Sequence, residues 1–225
     1  MRSAEREPAR CLKFSRFFYT KAVRALPRLY PIVDANCFAT DAAMFRFVEE
    51  LAFCGVTLLQ YRNKVATASR VLAQARELRH RFAGLTWIMN DRADLCVAAN
   101  FEGVHVGQDD LSVEGARLVI GHERQLGVST HNLAQLRAAD TTSADYIAIG
   151  PIFSTSSKRS PDPMVGVDGV RGARDLTRKP LVAIGGITRQ NCDSVMAAGA
   201  DSVAVISDLL DTPRQSAEDF LRRLG

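Results

Sequence analysis

The residues best suited to do chemistry in this chain are two carboxylates standing just past two consecutive apolar runs. Asp91 follows TWIMN (86–90), and Asp110 follows GVHVG (103–107). Carboxylates from two adjoining loops suit Mg²⁺, which takes one or two protein carboxylates and completes its octahedron with water and substrate phosphate. Asn90 stands beside the first acid and can contact a substrate next to such a metal. Helix N-capping accounts equally well for a single acid. Asp109 reads as such a cap, and Arg92 with Asp94 as a surface ion pair. Capping explains less well a pair of acids close to a cationic run, QYRNK (60–64). Alternate residues of an extended segment share a face, so Gln60, Arg62 and Lys64 point one way and Tyr61 and Asn63 the other. A solvated strand end is the plain alternative for this run. Cations beside a metal imply a polyanion, most simply a diphosphate.

A second group of residues lies further along. In IGGIT (184–188), Gly185 and Gly186 let backbone N–H groups approach a ligand closely. VISDLL (205–210), containing Ser207, reads as a short helical turn, followed by Thr212 as cap and Pro213 as first residue of the last helix. Asp208 fits a phosphate poorly unless it faces outward. Between these lies GPIFSTSSKRSPDPMVGVDG (150–169), with the composition of a lid, offering hydroxyls from Thr155, Ser156 and Ser157 and a charge from Lys158. Ser129 ends another apolar run. His105 and His131 read as packing or hydrogen-bonding residues rather than acid–base groups. No Ser-His-Asp set and no cysteine at a strand end offers a nucleophile. The spacing favours a site that joins a diphosphate-bearing molecule to a monophosphate-bearing one.

These residues need a scaffold that brings successive strand ends together. From residue 28 onward, short β-like runs alternate with helix-like ones. The strand candidates are 29–33, 56–62, 86–90, 103–107, 125–129, 145–150, 180–185 and 202–207. The segments between them carry apolar positions three or four apart, and Thr188 and Gly199 bracket one as N-cap and C′ residues. Eight such units predict a single-domain (β/α)₈ TIM barrel over 28–225, with a basic N-terminal extension over 1–27. An open doubly wound sheet competes, but no GxGxxG follows the first run. Pro31 within that run is awkward for a strand. In this fold the active site lies at the C-terminal ends of the strands, where all the polar residues above fall.

Composition narrows the function classes. No apolar run approaches the roughly 18 residues of a membrane span. The five cysteines are widely spaced and odd in number, which fits reduced thiols in a cytoplasm better than a zinc site or disulfide framework. The net charge of +4 suggests nucleic acid, but residues 1–28 alone carry +6, leaving the remainder at −2. The basicity belongs to the extension and not to the body.

The runs LQYRNK, NDRADL, GVHVGQDDL, LGVSTHN, DYIAIGPIFSTSSK, LVAIGGIT and GADSVAVIS follow one another from residue 29 nearly to the end. In that order and spacing the chain strongly resembles the thiamine-phosphate synthase family. The resemblance implies condensation of hydroxymethylpyrimidine diphosphate with a thiazole phosphate, giving thiamine phosphate and pyrophosphate. It implies a dissociative course, in which pyrophosphate leaves first and the thiazole nitrogen captures a pyrimidine cation. It gives pyrimidine-diphosphate binding to Gln60, Arg62, Lys64, Asn90, Ser129 and Lys158, with Tyr61 and Asn63 inside the same QYRNK run. It gives Mg²⁺ to Asp91 and Asp110, and thiazole phosphate to Thr155, Ser156, Ser157, Gly186, Ile206 and Ser207. Arg62, Lys64, Lys158 and Ser129 are the expected catalytic groups. Asn63 stands where the family commonly has Glu, and TSSK where it commonly has TSTK. The implied partners are two small phosphorylated molecules, with neither nucleic acid nor membrane, and a homo-oligomer is compatible with this. The rival readings are a thiazole tautomerase-like relative, a non-catalytic thiazole- or thiamine-phosphate-binding protein, and a nucleic-acid binder acting through the extension.

Overall fold

A computed structural model describes residues 26–155 and 163–225. Eight parallel strands, each followed by a helix, close into a barrel in chain order. The strands are β1 (Leu29–Asp34), β2 (Leu58–Arg62), β3 (Thr86–Asn90), β4 (Gly103–Val106), β5 (Gln125–Thr130), β6 (Tyr146–Ile149), β7 (Leu181–Ile184) and β8 (Ser202–Val205). The helices are α1 (Asp41–Phe53), α2 (Ala68–Arg81), α3 (Ala93–Ala98), α4 (Val113–Ile120), α5 (Leu133–Asp140), α6 (Gly166–Leu176), α7 (Cys192–Ala197) and α8 (Pro213–Leu224). The predicted strands are all present, most of them one or two residues shorter than their apolar runs. Of the extension, residues 1–25 lie outside the described residues.

Closure is made by β1 against β8, with Leu29 opposite Val203 and Pro31 opposite Val205. On its other side β1 pairs with β2 only from Ile32 onward. Pro31 therefore precedes that ladder, which is how the barrel accommodates a residue with no N–H to give it.

The strands bury both faces, and alternation sorts their side chains into two layers. Tyr30, Ile32, Leu58, Ile88, Tyr146, Ala148, Val182 and Ala204 fill the barrel interior. Their neighbours Val33, Leu59, Tyr61, Trp87, Met89 and Val104 face the helices. There Trp87 stacks on Phe101 with centroids 5.7 Å apart.

Polar residues set where helices begin. The side chains of Thr40, Thr67, Ser112 and Asn132 each accept the N–H three residues on, at the starts of α1, α2, α4 and α5. Ser112, not Asp109, caps α4. Asn191 rather than Thr188 occupies the cap position of α7, because a turn held by Thr188 N–H donating to Asn191 Oδ1 at 2.8 Å delays the helix. Gly199 does end that helix, at φ +106°. Thr212 and Pro213 open α8 as expected, the threonine hydroxyl meeting Ser216 Oγ at 3.0 Å. No helix among the described residues is long and apolar enough to cross a membrane.

Candidate active site

The strand ends enclose a cavity of about 470 Å³. One side is ionic. The β3 strand stops at Asp91, whose φ of +62° is left-handed for a residue with a side chain. Asp91 N–H donates to the His105 carbonyl at 2.8 Å, and Arg92 N–H turns back to the Asn90 carbonyl at 2.7 Å. This tight turn presents the Asp91 carboxylate to the cavity at a conformational cost of about 1–2 kcal/mol. Asp110 arrives from the loop after β4, where its Oδ2 accepts Gly107 N–H at 2.7 Å.

The two carboxyls border the same cavity, near enough for Asp110 to act on the Asp91 pKa. Burial raises the Asp91 pKa above the usual carboxylate value. The neighbouring Asp110 pushes it further up, while Lys64, whose Nζ lies 2.9 Å from Asp91 Oδ2, pulls it down. Two half-buried acids on one cavity wall, one of them on a left-handed backbone and paired with a lysine, fit a hard divalent cation. Among the described residues no group of three or more His, Cys, Asp or Glu could hold a metal. Mg²⁺ needs no such group, since water and substrate oxygens complete its shell. Arg92 pairs with Asp94 at the surface and takes no part.

Gln60, Arg62, Lys64 and Asn90 all line the cavity. Arg62 is tethered to Asp34, whose register partner it is across β1 and β2. Tyr61 and Asn63 do not line it. Tyr61 is fully buried under the helices and donates its hydroxyl to Gln74 Oε1 at 2.7 Å. Asn63 donates to the same oxygen at 2.9 Å, and its Oδ1 accepts the Ala66 N–H at 3.1 Å. The pleat decides this: odd and even residues of β2 cannot face the same layer.

The opposite side is built from Thr155, Gly185, Gly186, Ile206 and Ser207. Gly186, at φ +64°, lies so close to the β6 loop that a Cβ there would sit 2.4 Å from the Ser154 carbonyl. Asn191 braces the glycine turn by donating to the Gly186 carbonyl at 3.0 Å. Asp208 faces away, accepting Arg189 N–H at 2.8 Å and Nε–H at 3.0 Å. The objection it raised to a phosphate disappears. Ser207–Leu209 forms the expected single helical turn. Ser156, Ser157 and Lys158 lie outside the described residues.

The floor was the part least visible in the sequence. Tyr30, Ile32, His105, Ser129, Ala148, Val182 and Ala204 line it. His105, expected to be a packing or hydrogen-bonding residue, bonds as expected but does so on the cavity wall, with Nδ1 3.1 Å from Tyr146 Oη and Nε2 2.8 Å from Ser129 Oγ. His131 also borders the cavity, its Nδ1 2.7 Å from the Gly150 carbonyl oxygen. The overlooked signal was the alternation in LYPIVD, which puts Tyr30, Ile32 and Asp34 on the face that Gln60 and Arg62 share. Burial raises the Tyr30 phenol to about 12 and Tyr146 well above 10, so both stay neutral.

A family model described as thiamine monophosphate synthase matches residues 29–209. The chain belongs to that family. A Koribacter versatilis protein named thiamine-phosphate synthase is 61% identical over 203 residues, covering 88% of this chain and 96% of its own. One of the same name from Chloroflexus aurantiacus is 44% identical over 183 residues, covering 80% and 83%. Among solved structures, a thiamine phosphate pyrophosphorylase from Pyrococcus furiosus superposes with a TM-score of 0.76 at 27% identity, over 88% of this chain and 95% of its own. As a member of the thiamine monophosphate synthase family the chain is an enzyme, a transferase of thiamine biosynthesis.

Proposed function

We propose that the enzyme joins a hydroxymethylpyrimidine diphosphate to a thiazole phosphate, releasing pyrophosphate, with Mg²⁺ bound by Asp91 and Asp110. The observation that carries this reading is the presence of those two carboxyls on one cavity wall, beside Lys64 and across from the glycine turn. A charge-binding end and a monophosphate-binding end in one cavity suit two phosphorylated substrates meeting head to head.

Bound there, the metal would supply charge neutralisation to the diphosphate leaving group. The protein groups do the rest. Lys64 and Arg62 offer cations to the departing oxygens, and Asp34 keeps the Arg62 fork aimed. Gly186 and Ser207 offer N–H and hydroxyl donors to the thiazole phosphate. A floor of aliphatic side chains and the neutral Tyr30 phenol keeps water from a pyrimidine cation without setting a positive charge against it. Fixing both reactants in one closed space provides the proximity that such a displacement needs. Lys158, Ser156 and Ser157 complete the two ends in this proposal, and we place the enzyme in the cytoplasm.

The test mixes full-length protein, both phosphorylated substrates and Mg²⁺ and follows thiamine phosphate and pyrophosphate. Equimolar formation of both, abolished by chelator and restored by Mg²⁺, is expected. Isomerisation of the thiazole alone, or binding of either substrate without turnover, would overturn the proposal.

A further inference from the structure

The barrel floor holds a continuous chain of hydrogen bonds that begins at a fixed donor. Gln60 Nε2 lies 3.1 Å from Tyr30 Oη, and an amide nitrogen can only donate. Tyr30 Oη therefore accepts there, and its own proton is available to Tyr146 Oη, 2.8 Å away. With the Tyr30 proton given to Tyr146, the Tyr146 proton is free for His105 Nδ1, 3.1 Å away. An imidazole that accepts at Nδ1 carries its proton on Nε2, which faces Ser129 Oγ at 2.8 Å. In that arrangement Ser129 Oγ accepts from the imidazole, and its own proton is left to point into the cavity.

The geometry of this chain depends on a residue with no side chain. Gly127 on β5 is the register partner of Tyr146 on β6. A Cβ at 127 would lie 2.1 Å from Tyr146 Cζ and 2.4 Å from its Oη. No amino acid but glycine leaves room for the phenol to sit between Tyr30 and His105. The tyrosine rings meet edge to face with centroids 6.0 Å apart, and the His105 ring lies 5.5 Å from that of Tyr146.

We propose that Gly127, Tyr30 and Tyr146 are positioning residues: they hold His105 as its Nε2-protonated neutral tautomer and so aim the Ser129 hydroxyl as a donor at an acceptor atom of the pyrimidine substrate. This rests on the reading of the cavity given above. It adds a polarity to the floor, in which each member has one assigned role as donor or acceptor. The raised pKa values of both phenols keep the two protons that the chain requires.

The test uses full-length protein labelled with ¹⁵N at histidine, and reads the tautomer from long-range ¹H–¹⁵N correlations without substrate. His105 is assigned by the signal lost in His105→Gln. The expected wild-type signature is a proton on Nε2 and an acceptor at Nδ1. Tyr146→Phe keeps the ring and removes the hydroxyl, so the Nε2–H preference is lost. The KM for the pyrimidine diphosphate should then rise about tenfold, as one misdirected hydrogen bond implies, with the KM for the thiazole phosphate unchanged. Gly127→Ala should reproduce both effects by displacing the phenol. A purely structural role would lower the melting temperature and leave the tautomer and the ratio of the two KM values where they were. A proton on Nδ1 in the wild type, an unaltered tautomer in Tyr146→Phe, or an unaltered KM in that variant would each overturn the proposal. The spectrum needs no turnover. Wild-type protein that shows the Nε2–H signature but makes no thiamine phosphate would refute the function reading by itself.

Discussion

Gly186→Ala separates a backbone requirement from a contact requirement at the proposed thiazole-phosphate end. Gly186 has a φ of +64°, and imposing that conformation on a residue with a Cβ costs about 1–2 kcal/mol. The new methyl would also sit 2.4 Å from the Ser154 carbonyl oxygen and 2.8 Å from Phe153 Cβ, so the two loops must move apart. Overpacking of this kind costs about 1–3 kcal/mol, for a total of about 2–5 kcal/mol. Gly55→Ala is the matched control. Its φ is +92° with nothing within 4 Å of a built Cβ, so only the conformational part remains. At roughly 2–4 °C per kcal/mol for a domain of this size, Gly186→Ala should lower the melting temperature by roughly 4–20 °C and Gly55→Ala by roughly 2–8 °C. The kinetic outcome separates them further. Moving the Gly186 N–H away from a phosphate forfeits a hydrogen bond to a charged group, so the KM for the thiazole phosphate should rise roughly 10- to 150-fold. The KM for the pyrimidine diphosphate should stay put, and Gly55→Ala should alter neither. Thermal unfolding and initial rates with each substrate varied in turn decide the matter. If Gly186→Ala melts no lower than Gly55→Ala and binds thiazole phosphate normally, then the close approach does not constrain that turn.

Asp91→Ala and Asp110→Ala should each lower turnover by about two orders of magnitude or more, since each removes one of the two proposed Mg²⁺ ligands and even outer partners of such sites count for about 10–100-fold. Near-wild-type melting curves would show the loss to be local, and normal turnover in either variant would refute the metal assignment. The raised Asp91 pKa predicts that Mg²⁺ binding, followed by calorimetry, weakens on acidification at a pH above the ordinary carboxylate value of about 3.9. The sign follows from linkage: with its folded-state pKa raised, Asp91 contributes stability to the metal-free protein at low pH, and that contribution is lost as pH rises through the raised value. Stabilisation by added Mg²⁺ should accordingly grow over the same rise. Asn63→Ala should cost about 1 kcal/mol of stability through its bond to Gln74, while both KM values stay unchanged. A kinetic defect there would mean that position 63 reaches the substrate.

Much of the site was legible because barrel geometry converts sequence order into spatial neighbourhood. Asp91 and Asp110 follow consecutive strands, so their meeting needed only the fold and the register. The separation of Gln60, Arg62 and Lys64 from Tyr61 and Asn63 followed from the two-residue period of a strand alone. Tyr61 and Asn63, counted with the pyrimidine-diphosphate residues as members of the QYRNK run, turn away from the cavity as that period requires.

What the amino-acid order determined was therefore local and periodic: eight strand–helix units, the face each side chain takes, the glycines where backbone must pass close, and the acids at two strand ends. What only the folded chain decided depends on residues far apart in sequence. Tyr30 and Tyr146 stand 116 positions apart yet share a hydrogen bond. The role of His105 comes from partners on β5 and β6 rather than from its own run. Asp208 is neutralised by Arg189 from the preceding loop. Periodicity can say which way a side chain points, but its proton partners and its charge state are set by whatever the closed barrel places opposite it.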